Sequence, residues 1–489
     1  MAATAVRQQA RIPHPNVQER RARGKELRKT MPPGSHAKWK PAADRPDPID
    51  LLEEQDTRRE PDLVPVRHGR MAVSPFTFYR GAARIMAADL KDTPRSGLTV
   101  QLCGDAHLSN FGVFASPERL LLFDLNDFDE TLPGPFEYDV KRMVASFIIA
   151  GRNNGFSKAD TRRAALAAAA WYHKAMAEFA EMRVMDIWYA KLSEDDLLAA
   201  VRAAEQAQLE RAKKKVKAKK RDAQEASRTE QTLEKAHTRD SLQALAKLAE
   251  LVDGTYRIVS QPPIVVPMRD FERVYGLSSD ELQHVMREQF RGYRSTLQHD
   301  RRRLLERFEV VDMARKVVGV GSVGTRAFIV LLQGRDQGDP LFLQVKEATQ
   351  SVLEDHLPRS RYSQPGQRVV EGQRMMQAAS DIYLGWTKGH QEGRFLYWRQ
   401  LRDMKGSAVV DAMIPDGLTL YGQLCGWTLA RAHARSGDPV AIAAYLGRSD
   451  AFDQSIVDFS ERYADQNERD FKAFTKAIKS GRMAAIKGV

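Results

Sequence analysis

A segment rich in Asp, His and Asn carries the densest chemical signal in the chain. In GDAHLSNFGVFASPERLLLFDLNDFDE, residues 104–130, the side chains of Asp105, His107 and Asn110 follow one apolar strand, and a run of carboxylates follows the next. Asp and Asn also cap turns at strand ends, but a cluster at these spacings favours a functional site. Asp105 comes five residues before Asn110 and is predicted to orient or deprotonate an acceptor hydroxyl, with His107 as a second catalytic candidate.

The acidic run would complete a cation site if the intervening residues form a hairpin. Pairing of 111–114 with 119–123 brings Asn110 near Asp124 and Asp127, which follow it by 14 and 17 residues. Mg²⁺ prefers one or two carboxylates with a neutral oxygen and leaves its other positions to water and nucleotide phosphates. The sequence therefore predicts a Mg²⁺ site at the open end of this hairpin.

A second chemical signal lies in VVGVGSVGTRAFIVLLQGRDQGDPLFLQVKEA, residues 317–348. It matches G-x-G-x-x-G, a pattern that two phosphate-binding architectures share. A dinucleotide-binding fold needs a helix directly after the glycines, whereas a β-branched apolar run, a turn and a second apolar run follow here. A glycine-rich loop between two strands is the kinase arrangement, and a plain glycine-rich hairpin is the alternative. The predicted phosphate-binding residues are Gly319, Gly321, Ser322 and Gly324.

Lys346 closes the strand that follows this loop and is predicted to reach nucleotide phosphates. The alternative without a binding role is an exposed lysine at the end of a strand. A helix predicted after Pro365 carries Glu371, which is expected to pair with Lys346 and hold it in place, although Glu347 and Glu354 compete for it.

Length and composition narrow the class of protein. A chain of 489 residues argues for two or three packed units, and 43% hydrophobic residues exclude wholesale disorder. The net charge of +12 allows an anionic partner without choosing between nucleic acid and small anions. Two cysteines give no disulfide framework, and the N-terminus lacks the apolar run of a signal peptide or membrane span, so a soluble cytoplasmic protein is expected.

The basic run 211–221 is interpreted as a solvated helix face or hairpin rather than a nucleic-acid site, because no aromatic residues interleave it.

Several motifs together resemble known families. GDAHLSN and DFDETLPGPFEYDV resemble the catalytic-loop and metal-aspartate motifs of the aminoglycoside phosphotransferase and protein-kinase-like superfamily. FYRGAA, CGDAHLSNFG, FDLNDFDE, QVKEA and QRVVEGQRMMQAASDIYLGWT together resemble the bacterial domain of unknown function 2252, over about 45–470.

The superfamily resemblance implies roles for individual residues. It implies Asp105 as the catalytic aspartate and Asn110 as a metal ligand. The three glycines of the loop would bind phosphate, with Lys346 as the phosphate lysine and Glu371 as its partner. The second metal ligand stays open: Asp124 fits the distance from Asn110, whereas Asp127 fits the distance to the following Gly-Pro turn and is slightly preferred.

The order of these motifs is the reverse of that in ordinary kinases, since the carboxylates precede the glycine loop. We therefore expect an α+β, bilobal kinase-like fold that is circularly permuted. The expected parts are an extended basic arm at 1–61, a large lobe at 62–300 with a helical insertion at about 197–251, a small β-rich lobe at 301–410, and C-terminal helices at 411–489 that return to the large lobe.

The leading hypothesis is an ATP- and Mg²⁺-dependent phosphotransferase acting on a hydroxyl of a small molecule, with no membrane partner. The alternatives are a nucleotide-binding regulatory pseudokinase, an enzyme that transfers AMP, and a nucleic-acid-binding protein. The acceptor and the oligomeric state carry no recognisable sequence signal.

Overall fold

The computed structural model describes residues 14–212, 231–239, 241–270, 279–317, 319–401 and 404–488. Helices and sheets are mixed through these ranges, which confirms the predicted α+β class. In this part of the chain, no helix combines the length and apolar composition that crossing a bilayer requires. Apart from its first two residues, the basic run 211–221 lies outside the described residues.

The helices of the described ranges are numbered in chain order. They are α1 Val17–Thr30, α2 Pro48–Asp56, α3 Val64–Met71, α4 Pro75–Gly81, α5 Ala83–Leu90, α6 Phe136–Asn153, α7 Lys158–Phe179, α8 Val184–Tyr189, α9 Glu194–Ala212, α10 Ser241–Leu248, α11 Ser279–Ser295, α12 His299–Leu305, α13 Pro365–Met376, α14 Pro415–Ser436, α15 Pro439–Leu446 and α16 Ala451–Lys479.

Within the described ranges, the strands belong to four sheets. They are β1 Thr99–Leu102, β2 Phe111–Ala115, β3 Leu121–Leu125, β4 Leu132–Pro135, β5 Leu192–Ser193, β6 Ala249–Val252, β7 Thr255–Ile258, β8 Val265–Pro267, β9 Glu309–Lys316, β10 Ala327–Gln333, β11 Pro340–Glu347, β12 Gly385–Lys388, β13 Phe395–Gln400 and β14 Gly406–Ser407.

A helical core built on α6, α7, α14 and α16 supports residues 104–130, called the acidic segment below. Small residues let α7 and α14 approach closely, since a Cβ at Gly426 would lie 2.3 Å from the Ala168 carbonyl oxygen. The central helix α6 is buried along nearly its whole length. Because α6 begins directly after β4, and β4 pairs with β1, this core fixes the loop that carries Asp105.

The predicted hairpin forms, with a slightly different register. Strand β2 pairs antiparallel with β3, so that Phe111 lies opposite Leu125 and Gly112 opposite Asp124. The turn contains Arg119, which adopts a φ of 66°. The carboxylates that follow β3 are thereby returned to the level of Asn110, whose carbonyl accepts the Asn126 N–H at 2.8 Å.

A six-stranded antiparallel sheet of order β12-β13-β11-β10-β9-β8 forms the second large element. Helices α10 and α11, which the sequence analysis assigns to the large lobe, pack on this sheet instead. The ring of Tyr293 in α11 stacks on Trp398 of β13 with centroids 4.5 Å apart, and Leu245 of α10 joins the core around Ile329. The proposed boundary at 301 misses this packing because amphipathic helices do not reveal in their sequence which sheet they cover.

Residues 14–61 do not form the extended arm that the sequence predicts for 1–61, since they contain α1 and α2. The first 13 residues lie outside the described ranges, and α1 begins at Val17 with a capping box in which Asn16 and Glu19 exchange hydrogen bonds of 2.8 and 2.9 Å. A Cβ at Gly24 would lie 2.2 Å from the Ala441 carbonyl oxygen, so α1 packs closely on α15. The polar composition of α1 conceals this contact in the sequence.

Candidate active site

The loop after β1 is held in place by an aspartate of α6. Asp139, in the first turn of this helix, accepts hydrogen bonds from the Cys103 N–H at 2.6 Å and the Gly104 N–H at 2.9 Å. Gly104 has a φ of +86°, and a Cβ there would lie 2.2 Å from the Glu130 carbonyl oxygen, so glycine is required. The two constraints fix the backbone just before Asp105, which lines the cleft described below.

Asp105 forms an ion pair with a buried arginine that the sequence analysis did not nominate. The Arg142 Nε donates to Asp105 Oδ1 at 2.7 Å, and the Arg142 guanidinium lies over the Tyr79 ring at 3.8 Å. The second oxygen, Oδ2, lies 3.8 Å from His107 Nε2. Burial, with the charges of Arg80 and Arg142, lowers the pKa of His107 well below its usual range, so the imidazole is neutral at physiological pH.

Asn110 is oriented by the backbone of the same loop. Its side-chain amide donates to the Asp105 carbonyl at 2.7 Å. Because the amide nitrogen is used in this way, Oδ1 is the atom that Asn110 would offer to a cation.

Two carboxylates contact a lysine of the six-stranded sheet. Lys346 Nζ lies 3.0 Å from Asp129 Oδ2 and 3.7 Å from Asp127 Oδ1. The Tyr397 hydroxyl donates to Asp129 Oδ1 at 2.5 Å. Burial alone would raise the pKa of Asp129, but Lys346 and Tyr397 outweigh it and hold this pKa at about 2.

Asp127 has the opposite electrostatic character. Burial and the neighbouring charge of Asp129 raise the pKa of Asp127, and its Oδ1 is buried without a hydrogen-bond partner in the described part of the chain. A buried carboxylate in this condition gains from a second cation.

The glycine-rich segment is a loop between antiparallel strands, as predicted. It joins β9 to β10, and Ala327 at the start of β10 lies opposite Lys346 of β11. Gly319 and Gly324 adopt φ angles of +67° and +88°, which glycine tolerates best. The Ser322 hydroxyl donates to Asp129 Oδ2 at 3.3 Å, so the loop reaches the carboxylates directly.

A cleft of about 340 Å³ lies between the loop and the acidic segment. Its lining includes Asp105, His107 and Asn110 on one side and Asp127 with Asp129 beside them. The loop contributes Gly319, Gly321 and Ser322 to the same cleft. Sequence segments about two hundred residues apart therefore share one cavity.

A second cavity of about 270 Å³ adjoins the first. The two share Asp127, Gly319, Ser322 and Lys405 in their linings. Lys346 faces the second cavity, together with residues of β11 and β13. Burial, and then the charge of Arg399, lower the pKa of Lys405 to about 7.

Two predicted site residues lie elsewhere in the network. Asp124 is fully buried in β3, where it forms an ion pair with Arg431 of α14 and accepts the Ala378 N–H at 2.8 Å. Glu371 pairs with Arg374 at 3.1 Å and not with Lys346, which contacts Asp129 and Asp127 instead. The expected Lys346–Glu371 pair therefore does not form, and Asp124 is engaged in a buried ion pair and lines neither cavity.

Sequence reasoning missed three residues that complete the cluster. Asp129 belongs to the predicted acidic run, but its spacing does not distinguish it from the neighbouring carboxylates. Arg142 lies in α6 and Tyr397 lies in β13, and neither belongs to a recognisable motif. Their roles depend on contacts across the chain: Tyr397 is 268 positions from Asp129.

The donor set suits a cation that also binds phosphate. Among the described residues, no group of three or more His, Cys, Asp and Glu side chains could hold a metal ion. Mg²⁺ bound with a nucleotide needs fewer protein ligands, namely one or two carboxylates and a neutral oxygen. The buried Oδ1 of Asp127, which lies 3.7 Å from Lys346 Nζ but accepts no hydrogen bond from the described residues, fits this requirement. The amide oxygen of Asn110 would be the neutral ligand.

Fold and site together define an α+β protein in which a glycine-rich loop and a carboxylate pair line one cleft, and a buried lysine lines the adjoining cavity. Over residues 59–477 the chain matches the family described as "Uncharacterized protein conserved in bacteria (DUF2252)", and it belongs to that family. This membership confirms the family resemblance seen in the sequence. No curated protein and no solved structure gives a significant match to the chain.

Proposed function

We propose that the protein is an ATP- and Mg²⁺-dependent phosphotransferase that phosphorylates a hydroxyl group of a small molecule, on a circularly permuted, bilobal kinase-like fold. One observation carries the proposal: Ser322 of the glycine loop and Lys346 of β11 both contact Asp129. Asp129 and Asp105 line the same cleft. A glycine loop between strands, a lysine on the next strand and nearby carboxylates are the parts that kinases use.

The order of elements along the sheet supports the kinase-like part of the proposal. Strands β9, β10 and β11 are consecutive antiparallel neighbours, and α13 follows them before β12 and β13. Arg368 of α13 donates to the Asp129 carbonyl at 2.7 Å and to the Thr131 carbonyl at 2.6 Å, which fastens the acidic loop to this side of the sheet. Circular permutation then accounts for carboxylates that precede the loop in the chain.

Each residue has a defined task in this proposal. The backbone N–H groups of the glycine loop and the Lys346 ammonium bind the triphosphate. Asp127 and Asn110 would hold Mg²⁺, which when bound supplies neutralisation of phosphate charge. Arg142 holds Oδ1 of Asp105 and leaves Oδ2 for the acceptor hydroxyl.

The transfer step conserves atoms and charge. Asp105 takes the proton of the acceptor hydroxyl while the acceptor oxygen bonds to the γ-phosphorus. The bond between that phosphorus and the bridging oxygen breaks, and ADP leaves with the electron pair. The neutral His107 near Oδ2 adds no positive charge that would oppose proton uptake by Asp105.

Calorimetric titration of Mg²⁺-ATP tests nucleotide binding. We expect Asp127→Asn and Lys346→Met to weaken the affinity at least tenfold, or about 1.4 kcal/mol. Glu178→Gln, on an exposed residue whose contact with Lys174 is 4.0 Å, is the matched control and should bind as wild type. An ATP affinity that stays the same without Mg²⁺ and in both site variants would contradict the proposal.

Labelled ATP identifies the transferred group. Label from the γ-phosphate should appear on the product of an acceptor screen and be lost in Asp105→Asn. Transfer of the α-label would instead indicate AMP transfer, and binding without transfer from either position would indicate a regulatory pseudokinase.

A further inference from the structure

An arginine cluster lines the cleft on the side formed by the N-terminal helices. Arg58 and Arg59 follow α2, Arg80 lies in the last turn of α4, and Arg84 lies in α5. None of them has a task in the phosphoryl transfer described above. Arg84 is already neutralised, since it pairs with Glu54 at 2.8 Å and Asp355 at 3.3 Å.

Arg80 has the most unusual environment of the cluster. Its Nε is buried and has no hydrogen-bond partner within the described ranges. Burial lowers the pKa of Arg80, and Asp105 and Asp411 offset this only by longer-range attraction. A Cβ at Gly321 would lie 3.2 Å from the Arg80 carbonyl oxygen, so the residue lies against the glycine loop.

Arg59 provides a second incompletely satisfied guanidinium. Its side chain is 7% exposed, its Nη1 donates to the Val323 carbonyl of the glycine loop, and its Nε has no hydrogen-bond partner in the described residues. Its closest carboxylate contact is with Asp56, at 3.8 Å. Burying a cation is unfavourable unless an anion with good hydrogen-bond geometry compensates it. Two such guanidiniums on one wall therefore favour an oxyanion in the cleft.

The nucleotide is not the best occupant for this wall. Lys346 lines the 270 Å³ cavity, whereas Asp105 and the arginines line only the 340 Å³ cleft. If the base and sugar of ATP occupy the smaller cavity and the triphosphate crosses the shared Ser322 and Asp127, the larger cleft remains for the acceptor. Its reacting hydroxyl would lie at Asp105 and the rest of the molecule along the arginines.

We propose that the acceptor is a hydroxylated small molecule with an oxyanionic group, phosphate or carboxylate, which binds Arg80 and Arg59 while its hydroxyl faces Asp105. This inference rests on the proposed phosphotransferase function and names the substrate class. Guanidinium groups suit the task because their planar donors match carboxylate and phosphate oxygens.

Binding of inorganic phosphate to protein saturated with Mg²⁺ and the non-hydrolysable analogue AMP-PNP tests the inference at constant ionic strength. Wild type should bind phosphate, and Arg80→Gln should weaken that binding at least tenfold, while Arg80→Lys retains part of it. The control is Arg152→Gln, because Arg152 pairs with Asp465 and Glu468 outside the cleft. Glucose 6-phosphate carries a phosphate group and gluconate carries a carboxylate group, so the one that displaces bound phosphate more strongly identifies the preferred oxyanion. Glucose, which has neither group, should not displace phosphate.

Three results would overturn the inference: no phosphate binding by the loaded wild type, equal binding by Arg80→Gln, or loss of AMP-PNP affinity in Arg80→Gln, which would assign Arg80 to the nucleotide. Thermal melting verifies that the variant folds. If Arg80→Gln does not fold, Arg58→Gln is tested in its place, because Arg58 is the exposed member of the cluster. Its phosphate affinity should then fall about threefold. Failure of AMP-PNP to bind wild type defeats the phosphotransferase proposal instead, and phosphate binding that depends on Arg80 without nucleotide would still support the anion site.

Discussion

Lys346 Nζ lies 3.0 Å from Asp129 Oδ2, and this ion pair joins residues 217 positions apart. It connects the interior of the six-stranded sheet to the acidic loop after β3. Since both side chains are largely buried, with exposures of 5% and 31%, the pair holds the sheet against the acidic loop at the point where the cleft and the adjoining cavity meet.

Removal of the Asp129 charge should destabilise the fold. Asp129→Asn leaves the buried Lys346 with Asp127 alone, at 3.7 Å, and we expect the free energy of unfolding to fall by about 3 kcal/mol. Urea denaturation measures the loss. The control is Asp336→Asn in the exposed turn between β10 and β11, and a change in Asp129→Asn no larger than in this control would contradict the prediction.

Glu130 should make stability depend on pH. Burial raises the pKa of Glu130 from 4.5 to about 7 in the folded state, so its ionisation opposes folding progressively from pH 4.5 to 7. Glu130→Gln removes this ionisation, and its stability relative to wild type should rise by about 2 to 3 kcal/mol between pH 4 and pH 8. Denaturation curves across this range provide the measurement. Glu178→Gln should show a much flatter difference, and a parallel course for both variants would refute the assignment.

Asp124 should matter for folding rather than for nucleotide chemistry. It is fully buried against Arg431, so Asp124→Ala strands a buried guanidinium and should lower stability by about 3 to 5 kcal/mol. The double variant Asp124→Leu with Arg431→Met removes both charges and should recover most of that loss. Recovery by the double variant, measured by chemical denaturation, separates an ion pair from a metal ligand. A single variant of normal stability that has lost only its response to Mg²⁺ would restore Asp124 as a ligand.

Glu371→Gln should leave Mg²⁺-ATP affinity within about twofold of wild type. The reason is its partner, since Glu371 contacts Arg374 at 3.1 Å while Lys346 is held by Asp129. Calorimetric titration measures the affinity, with Lys346→Met as the sensitive comparison. A tenfold loss in Glu371→Gln would mean that the nucleotide-bound state re-forms the lysine–glutamate pair of ordinary kinases.

Local sequence was sufficient where the structure depends on neighbours in the chain. Alternating apolar runs and turn residues predicted the β2–β3 hairpin, and the absence of a helical pattern after the glycines predicted a loop between strands. The spacing of Asp105 and Asn110 likewise follows from one loop, in which the Asn110 amide contacts the Asp105 carbonyl at 2.7 Å.

Tertiary structure decided which chemically equivalent residues have which role. By itself the sequence established the α+β class, the two motif-bearing segments and the family, because local periodicity and motif spacing carry that information. It could not assign Asp124 to Arg431 or Lys346 to Asp129, since each partner comes from a distant element. Carboxylates in one run look alike along the chain, and only their burial and the charge that folding places beside each one distinguish them.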